Sequence, residues 1–445
     1  MRLAWFSPVP PDPSGIAAYT AEIVPLLDAR LGAIDLYTDG PFECPSGRPT
    51  HSAQEFVWRH RRQPYDLTVY QMGNALCHAY IWAYLFRYPG LLVLHDAQLH
   101  QARALSLLRR HEPRLHDYLT ELAANHPGAP ENLGHLFAAG LGGTLFRFWP
   151  LVSLAIEASR MVAVHNTHLA GRLTAAHRGA EIAAMPMGVA DPLGEGPPSA
   201  ARRADIRARF GVPRDAIVIG AFGGVTPEKR IPSVLAALAE TRERLPGVHL
   251  LLVGRPAEHY DVRADVEAKG LAGRVHVAGH VADEDLPACL AAVDVCACLR
   301  WPTNHETSAS WLRCLAAGRP TLTTALADLG DVPALVALPG SADLTGDEGT
   351  AVTVSIDPHD EPIALPAALE ALCTSGERRS AIGANARRWW EDHHTLEHMS
   401  SAYEKIVTRA LASPAPAIDL PAHLLDDGTG TVRQVMAAFG LPDPV

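Results

Sequence analysis

No stretch of this chain is long, apolar and uncharged enough to be read as a membrane span. The best candidate, residues 136–156, is interrupted or flanked by His135, Arg147, Pro150 and Glu157 and loosened by Gly140, Gly142 and Gly143, so it is expected to form a buried helix pair. The opening MRLAWFSPVPP lacks the basic patch, apolar run and small-residue cleavage site of a secretory signal, and no export is expected. An excess of positive charge is also missing. With 38 basic against 49 acidic side chains the formal charge is −11, which argues against nucleic acid as a partner.

Metal-binding patterns are equally scarce. The seven cysteines are scattered and mostly inside apolar runs, as expected for reduced thiols in a cytoplasmic protein. Cys296 and Cys298 have no second Cys or His pair at zinc-like spacing and read as buried strand thiols. Asp283 and Asp285 form an Asp-x-Asp pattern, but they open the helix of residues 286–292, where acidic groups complement the helix dipole; capping is the expected role. No metal or other cofactor is expected. Gly140, Gly142 and Gly143 follow no strand and make a poor dinucleotide fingerprint.

What is present is a repeated grammar. A length of 445 residues, 48% of them hydrophobic, suits two core-forming domains of about 200 residues each. The first half places apolar strands at residues 2–6, 33–37, 67–70, 91–94 and 161–164, separated by helical stretches that include residues 16–31. Pro192, Gly194, Gly196, Pro197 and Pro198 mark a linker within residues 190–204. The alternation then restarts, with strands at 216–222, 249–253, 274–277, 293–299 and 319–324 and a helix at 231–245. Strand and helix in alternation build parallel sheets covered by helices, so the expected fold is α/β with two Rossmann-like doubly wound domains. We place the first domain at 1–195 and the second at 196–390, followed by a helical segment at 391–412; residues 385–411 read as helix. The tail 413–445 carries one weak helix, at 432–439, and no evident role.

Two loops of the second domain carry chemistry. The strand at 217–222 runs into GGVTPEKR, residues 223–230. Gly223 and Gly224 let backbone amides approach an anion, Pro227 suits a first helical turn, and Lys229 and Arg230 bring positive charge to a helix N-terminus. The strand ending at Leu299 leads into residues 300–310, where Thr307 and Ser308 are N-cap types, so a second helix also aims free amides at the C-terminal sheet edge. One diphosphate touching both loops is geometrically natural. In the first domain, His95 and Asp96 follow a buried strand, and Asn74 follows Gly73 at an equivalent strand end. A core histidine and a plain turn are the competing readings there.

At these residues the chain resembles the retaining glycosyltransferases of GT-B fold, in particular the large family 4, the glycosyl transferases group 1. The likeness is strongest in GGVTPEKR, HLLLVG, GHVADEDLPACLAAVDVCACL and ETSASWLRCLAAGRP. PPDPSGIAAYTAEI, YQMGN and VLHDAQLH extend it over residues 1–410. It implies a nucleotide-diphosphate sugar donor and metal-independent transfer to an acceptor hydroxyl. It also implies roles: Lys229, helped by Arg230, on the leaving diphosphate; Glu306 on donor-sugar hydroxyls; the Gly15 amide near phosphate or sugar; and His95 with Asp96 on the donor sugar from across the cleft.

The chain departs from the family pattern in two places. Gly224 stands where relatives carry an Arg, a role Arg230 is expected to fill. Counting back from residues 316–320 puts His305 and Arg313 where two glutamates are usual, so Glu306 fits only with a one-residue shift and Arg313 makes ribose recognition atypical. Two alternatives follow, a non-catalytic nucleotide-sugar-binding protein and a GT-B sugar-nucleotide epimerase. The acceptor has no signature in the sequence. Arg103, Arg109, Arg110 and Arg114 lie among leucines in a helical stretch at 99–119. That stretch reads as a solvated amphipathic face, with peripheral contact to an anionic membrane left open for a lipid acceptor.

Overall fold

A computed structural model of the chain describes residues 1–40, 49–109, 111–194, 196, 199–341, 343–426 and 429–441. Cys44, Arg110, Pro197, Pro198 and the end of the tail, residues 442–445, lie outside the described residues. Contacts divide the described residues into two units. The first takes those of Met1–Pro186, Asn304–Thr307 and Met399–Val445; the second takes Met187–Thr303 and Ser308–His398.

The first unit is built on β1 (Arg2–Phe6), β2 (Ala33–Thr38), β3 (Thr50–Ser52), β4 (Leu67–Met72), β5 (Leu91–Leu94), β6 (Met161–Val164) and β7 (Ile182–Ala184). Among the described residues they form one parallel sheet in the order β3-β2-β1-β4-β5-β6-β7. The central strands are buried along their whole length, as the unbroken run LTVYQM of β4 requires when helices cover both faces. The helix Gly15–Leu31 starts at Ser14, whose hydroxyl accepts from the Ile16 amide, and stops at Gly32, whose φ of 98° suits glycine.

The second unit repeats the plan with β8 (Ile217–Phe222), β9 (Val248–Val253), β10 (Val275–Gly279), β11 (Val295–Cys298), β12 (Thr321–Thr324), β13 (Ala334–Ala337), β14 (Leu344–Thr345) and β15 (Thr353–Ile356). Their order is β10-β9-β8-β11-β12-β15-β13-β14, parallel except for the β13–β14 pair. In each sheet the chain order reverses beside the first strand, between β1 and β4 and between β8 and β11. At such a switch point the flanking loops part and leave a crevice at the carboxyl ends of the strands. Loops singled out in the sequence follow these four strands, and His95 and Asp96 follow β5.

Several expectations need correction. Residues 136–156 are not a buried helix pair: short helices Leu133–Ala138 and Ser153–Glu157 flank an irregular stretch, Gly140 and Gly143 take positive φ, and Leu141 and Phe148 are 73% and 75% exposed. The stretch 99–119 is two helices, His100–Leu108 and Leu115–Asn125, on either side of Pro113. Its arginines do not share one solvated face, because Arg103 turns inward onto Glu121 and Arg114 pairs with Asp117. Among the described residues no helix is long and apolar enough to cross a membrane.

The single helix expected at 385–411 is two, Gly376–His393 and Leu396–Ala412. The tail has a place: Leu424 is buried in the first unit's core, and Ile418 and Leu420 pack against it. Asp285 stands at the N-cap of the helix Leu286–Ala292, as expected, but makes no side-chain cap hydrogen bond; its carboxylate pairs with Arg202 and Arg209.

Candidate functional site

In the second unit the site begins where β8 ends. Gly223 adopts φ 88°, a conformation that side chains disfavour, and its amide donates to the Val253 carbonyl at 2.9 Å. Lys229 folds back over this glycine. Its Nζ donates to the Phe222 carbonyl at 2.8 Å, and a Cβ at Gly223 would collide with that ammonium and press on Ser310 Oγ at 3.1 Å. Gly223 is therefore the point where Lys229 and the first turn of the helix Ala309–Ala316 come together. The Lys229 backbone is fixed in turn by Thr226, whose hydroxyl accepts from the Lys229 amide at 3.3 Å, with Pro227 opening the short 3-10 turn. Gly224 has room for a side chain, its nearest neighbour being Thr226 Cγ2 at 3.7 Å.

Arg230 behaves otherwise than expected. It sits in the left-handed region at φ 58° and points away from the Lys229 amine, onto the buried carboxylate of Glu361. Nη2–Oε1 is 2.6 Å, and Nε lies 2.9 and 3.0 Å from the two oxygens. A charged fork bonded to a carboxylate is satisfied in place. Arg230 anchors the loop to the helix Glu361–Thr374.

The helix Ala309–Ala316 is capped by Ser308, whose hydroxyl accepts from the Trp311 amide at 3.3 Å. Arg313, one turn in, lines a cavity of about 170 Å³ with Gly223, Gly254, His280, Asp283 and Ser310, backed by apolar side chains including Phe222 and Leu290. Gly254 was not singled out from the sequence beyond its place at a strand end. Its φ is 154°, and a Cβ there would overlap the Gly223 carbonyl, so the loops after β8 and β9 touch backbone to backbone. His280, Ser310 and Asp283 were likewise not foreseen as lining residues. Only the fold brings them to one hollow.

In the first unit, Gly73 plays the converging part: a Cβ there would meet Ile16 Cδ1, His78 Nε2 at 3.1 Å and Asp96 Oδ2 at 3.4 Å. Asp96 accepts from the Asn74 amide at 2.8 Å, and Asn74 accepts through Oδ1 from the Ala102 amide at 2.9 Å. Both side chains therefore shape the strand-end loops. Gly15 opens its helix beside them with no atom within 4 Å of a built Cβ.

His95 is 8% exposed, and its Nε2 lies 2.8 Å from Gln71 Oε1. Gln71 donates to the Tyr403 hydroxyl at 3.2 Å, which lies 2.6 Å from the Tyr19 hydroxyl. Burial, with His165 and His78 nearby, keeps His95 well below the usual histidine range, so it is a neutral hydrogen-bonding group. Burial likewise pushes His78 down to about 4. His78 and Tyr403 also escaped the sequence reading.

Residues Asn304–Thr307 group with the first unit and Ser308 with the second. The Asn304 carbonyl accepts from the Ala97 amide at 3.0 Å, and the His305 carbonyl from Asn166 Nδ2 at 3.3 Å. His305 takes φ 64°, and Glu306 accepts from the Asn304 amide at 2.7 Å. Among the described residues no cluster of three or more His, Cys, Asp or Glu has metal-binding geometry.

Residues 216–374 match the model of the family Glycosyl transferases group 1. The whole chain is similar to the solved structure of sucrose-phosphate synthase from Thermosynechococcus elongatus, with TM-score 0.65, 16% identity and coverage of 93% of this chain and 99% of that one. The chain has the GT-B fold. HepE from Anabaena, solved in complex with UDP-glucose, is similar to this GT-B chain with TM-score 0.59, 15% identity and coverage of 92% and 100%. In sequence the GT-B chain is 30% identical over 181 residues to 2-deoxystreptamine glucosyltransferase of Streptomyces kanamyceticus, covering 39% of this chain and 45% of the relative. It spans less than half the length of the curated relatives it matches.

Proposed function

We propose that this protein transfers a sugar from a nucleoside-diphosphate sugar to an acceptor hydroxyl, with retention at the anomeric carbon and without a metal ion. The observation that carries the reading is the meeting of Lys229 and the Ser308-capped helix at Gly223, beside the hollow lined by Arg313. A diphosphate laid against Gly223 receives a fixed ammonium, backbone amides and the positive end of a helix dipole, which are the groups that stabilise charge building on a departing phosphate. The hollow next to it, apolar on one wall and polar at its rim, suits the nucleoside.

In the proposed step the acceptor oxygen bonds to the anomeric carbon on the face from which the diphosphate departs. The carbon–oxygen bond to phosphate breaks, its electron pair goes to the leaving group, and the acceptor proton passes to a phosphate oxygen. Lys229 takes the place a metal would otherwise hold. A hexose is the favoured donor sugar, because HepE was solved with UDP-glucose and the streptomycete relative is named a glucosyltransferase. Buried thiols at Cys289, Cys296, Cys314 and Cys373 fit a reducing, cytoplasmic compartment.

The test is to run the full chain with UDP-, GDP- and ADP-hexoses and hydroxylated acceptors, and to read the product's anomeric configuration by NMR with and without chelator. Retained configuration at an unchanged rate under chelation supports the proposal. Inverted configuration, or loss of turnover with chelator, contradicts the corresponding part.

A further inference from the structure

A second cavity, about 300 Å³, lies wholly within the first unit, and the C-terminal tail closes it. The short helix Ala422–Leu425 buries Leu424 and brings His423 Nε2 to 2.8 Å from Glu121 Oε1. The Glu121 side chain is fully buried and also accepts from Arg103 Nε at 2.7 Å. Arg103 covers the Trp82 ring at 4.6 Å, and it lines the cavity together with Arg87, Arg114, His423 and Asp426.

Three guanidinium groups around one small hollow need acceptors, and the chain supplies only some. Arg103 uses Nε and Nη2 on Glu121, Arg114 pairs through Nε with Asp117 at 2.6 Å, and Arg87 reaches the Asp426 carbonyl through Nη2. Arg87 Nε is buried with no hydrogen-bond partner among the described residues. An arginine carries five N–H donors, so Arg87 and Arg114 each keep donors beyond the bonds named. The carboxylates of Asp39 and Asp426 also line the space.

We propose that this tail-closed cavity is a binding site for a phosphate-type oxyanion, held by Arg87 and Arg114 with Arg103 behind them. The inference is independent of the glycosyl-transfer reading.

The test is a thermal shift and calorimetric titration of the full chain with inorganic phosphate, at ionic strength fixed with chloride. Arms with Arg87→Gln, Arg114→Gln and Lys229→Ala, and one with a hexose phosphate, complete it. Wild type and Lys229→Ala are expected to bind and be stabilised, whereas each arginine variant binds at least about tenfold more weakly, as loss of a charge-assisted bond implies. Tighter binding of the hexose phosphate identifies a phosphorylated polyol as the ligand, and equal binding a free oxyanion. The Arg114 side chain is 42% exposed, so that variant decides if Arg87→Gln fails to fold. No binding by wild type overturns the proposal, as does binding lost only in Lys229→Ala, which would put the anion at Gly223.

Discussion

The guanidinium of Arg230 is bonded to both carboxylate oxygens of Glu361, a side chain 1% exposed, 131 residues further along the chain. The neighbouring Lys229 donates to the Phe222 carbonyl. Two adjacent cations thus have separate partners, a buried carboxylate and a backbone carbonyl.

Arg230→Gln is therefore expected to cost stability by about 3 kcal/mol, the lower end for breaking a buried ion pair, since Arg230 keeps some solvent. Urea denaturation checks this, with Glu361→Gln as the matching variant. Unchanged stability together with lost nucleotide affinity would return Arg230 to the phosphate.

Acid should weaken the fold through its buried histidines. His78 and His100 are each 1% exposed and held down to about 4 by burial, against an ordinary 6.5. Between those values the unfolded chain binds protons that the folded chain refuses, so stability is present above 6.5 and is lost as pH falls toward 4. The limit is on the order of 3 kcal/mol for each group. Denaturation midpoints at about pH 7.5 and about pH 5 should differ, and His78→Gln with His100→Gln should narrow the gap. Equal midpoints in the wild type would contradict the account.

Gly254→Ala places a methyl group on the Gly223 carbonyl and forces a φ of 154° on alanine. Parting the loops after β8 and β9 should weaken nucleoside-diphosphate binding by at least about tenfold while leaving the β8–β9 ladder in place. Gly224→Ala, where space is open, is the control expected to bind normally. Calorimetric titration with UDP reads both.

The core was legible where burial dictates composition. β1, β5 and β6 lie at the residues expected, because strands covered on both faces must be apolar throughout. The strands β3 and β14, THS and LT, left no such run, and β7 and β13, IAA and ALVA, are apolar but short. In the site, Gly223 and Lys229 could be read locally, since a glycine at a strand end and a cation at a helix start have one evident use. The partner of Arg230, the ion pairs of Asp285 and the hydrogen bonds linking His95, Gln71 and Tyr403 depend on residues distant in the chain, and no local pattern announces them.

The most direct measurement is nucleoside-diphosphate release from UDP-, GDP- and ADP-hexoses by wild type and by Lys229→Ala. The account predicts release by the wild type with at least one donor. Release by the variant should fall by about a hundredfold or more, as for loss of one fixed group that stabilises a departing anion, while its cooperative thermal transition is kept. Wild-type rates in Lys229→Ala, or no release with any donor, would contradict it.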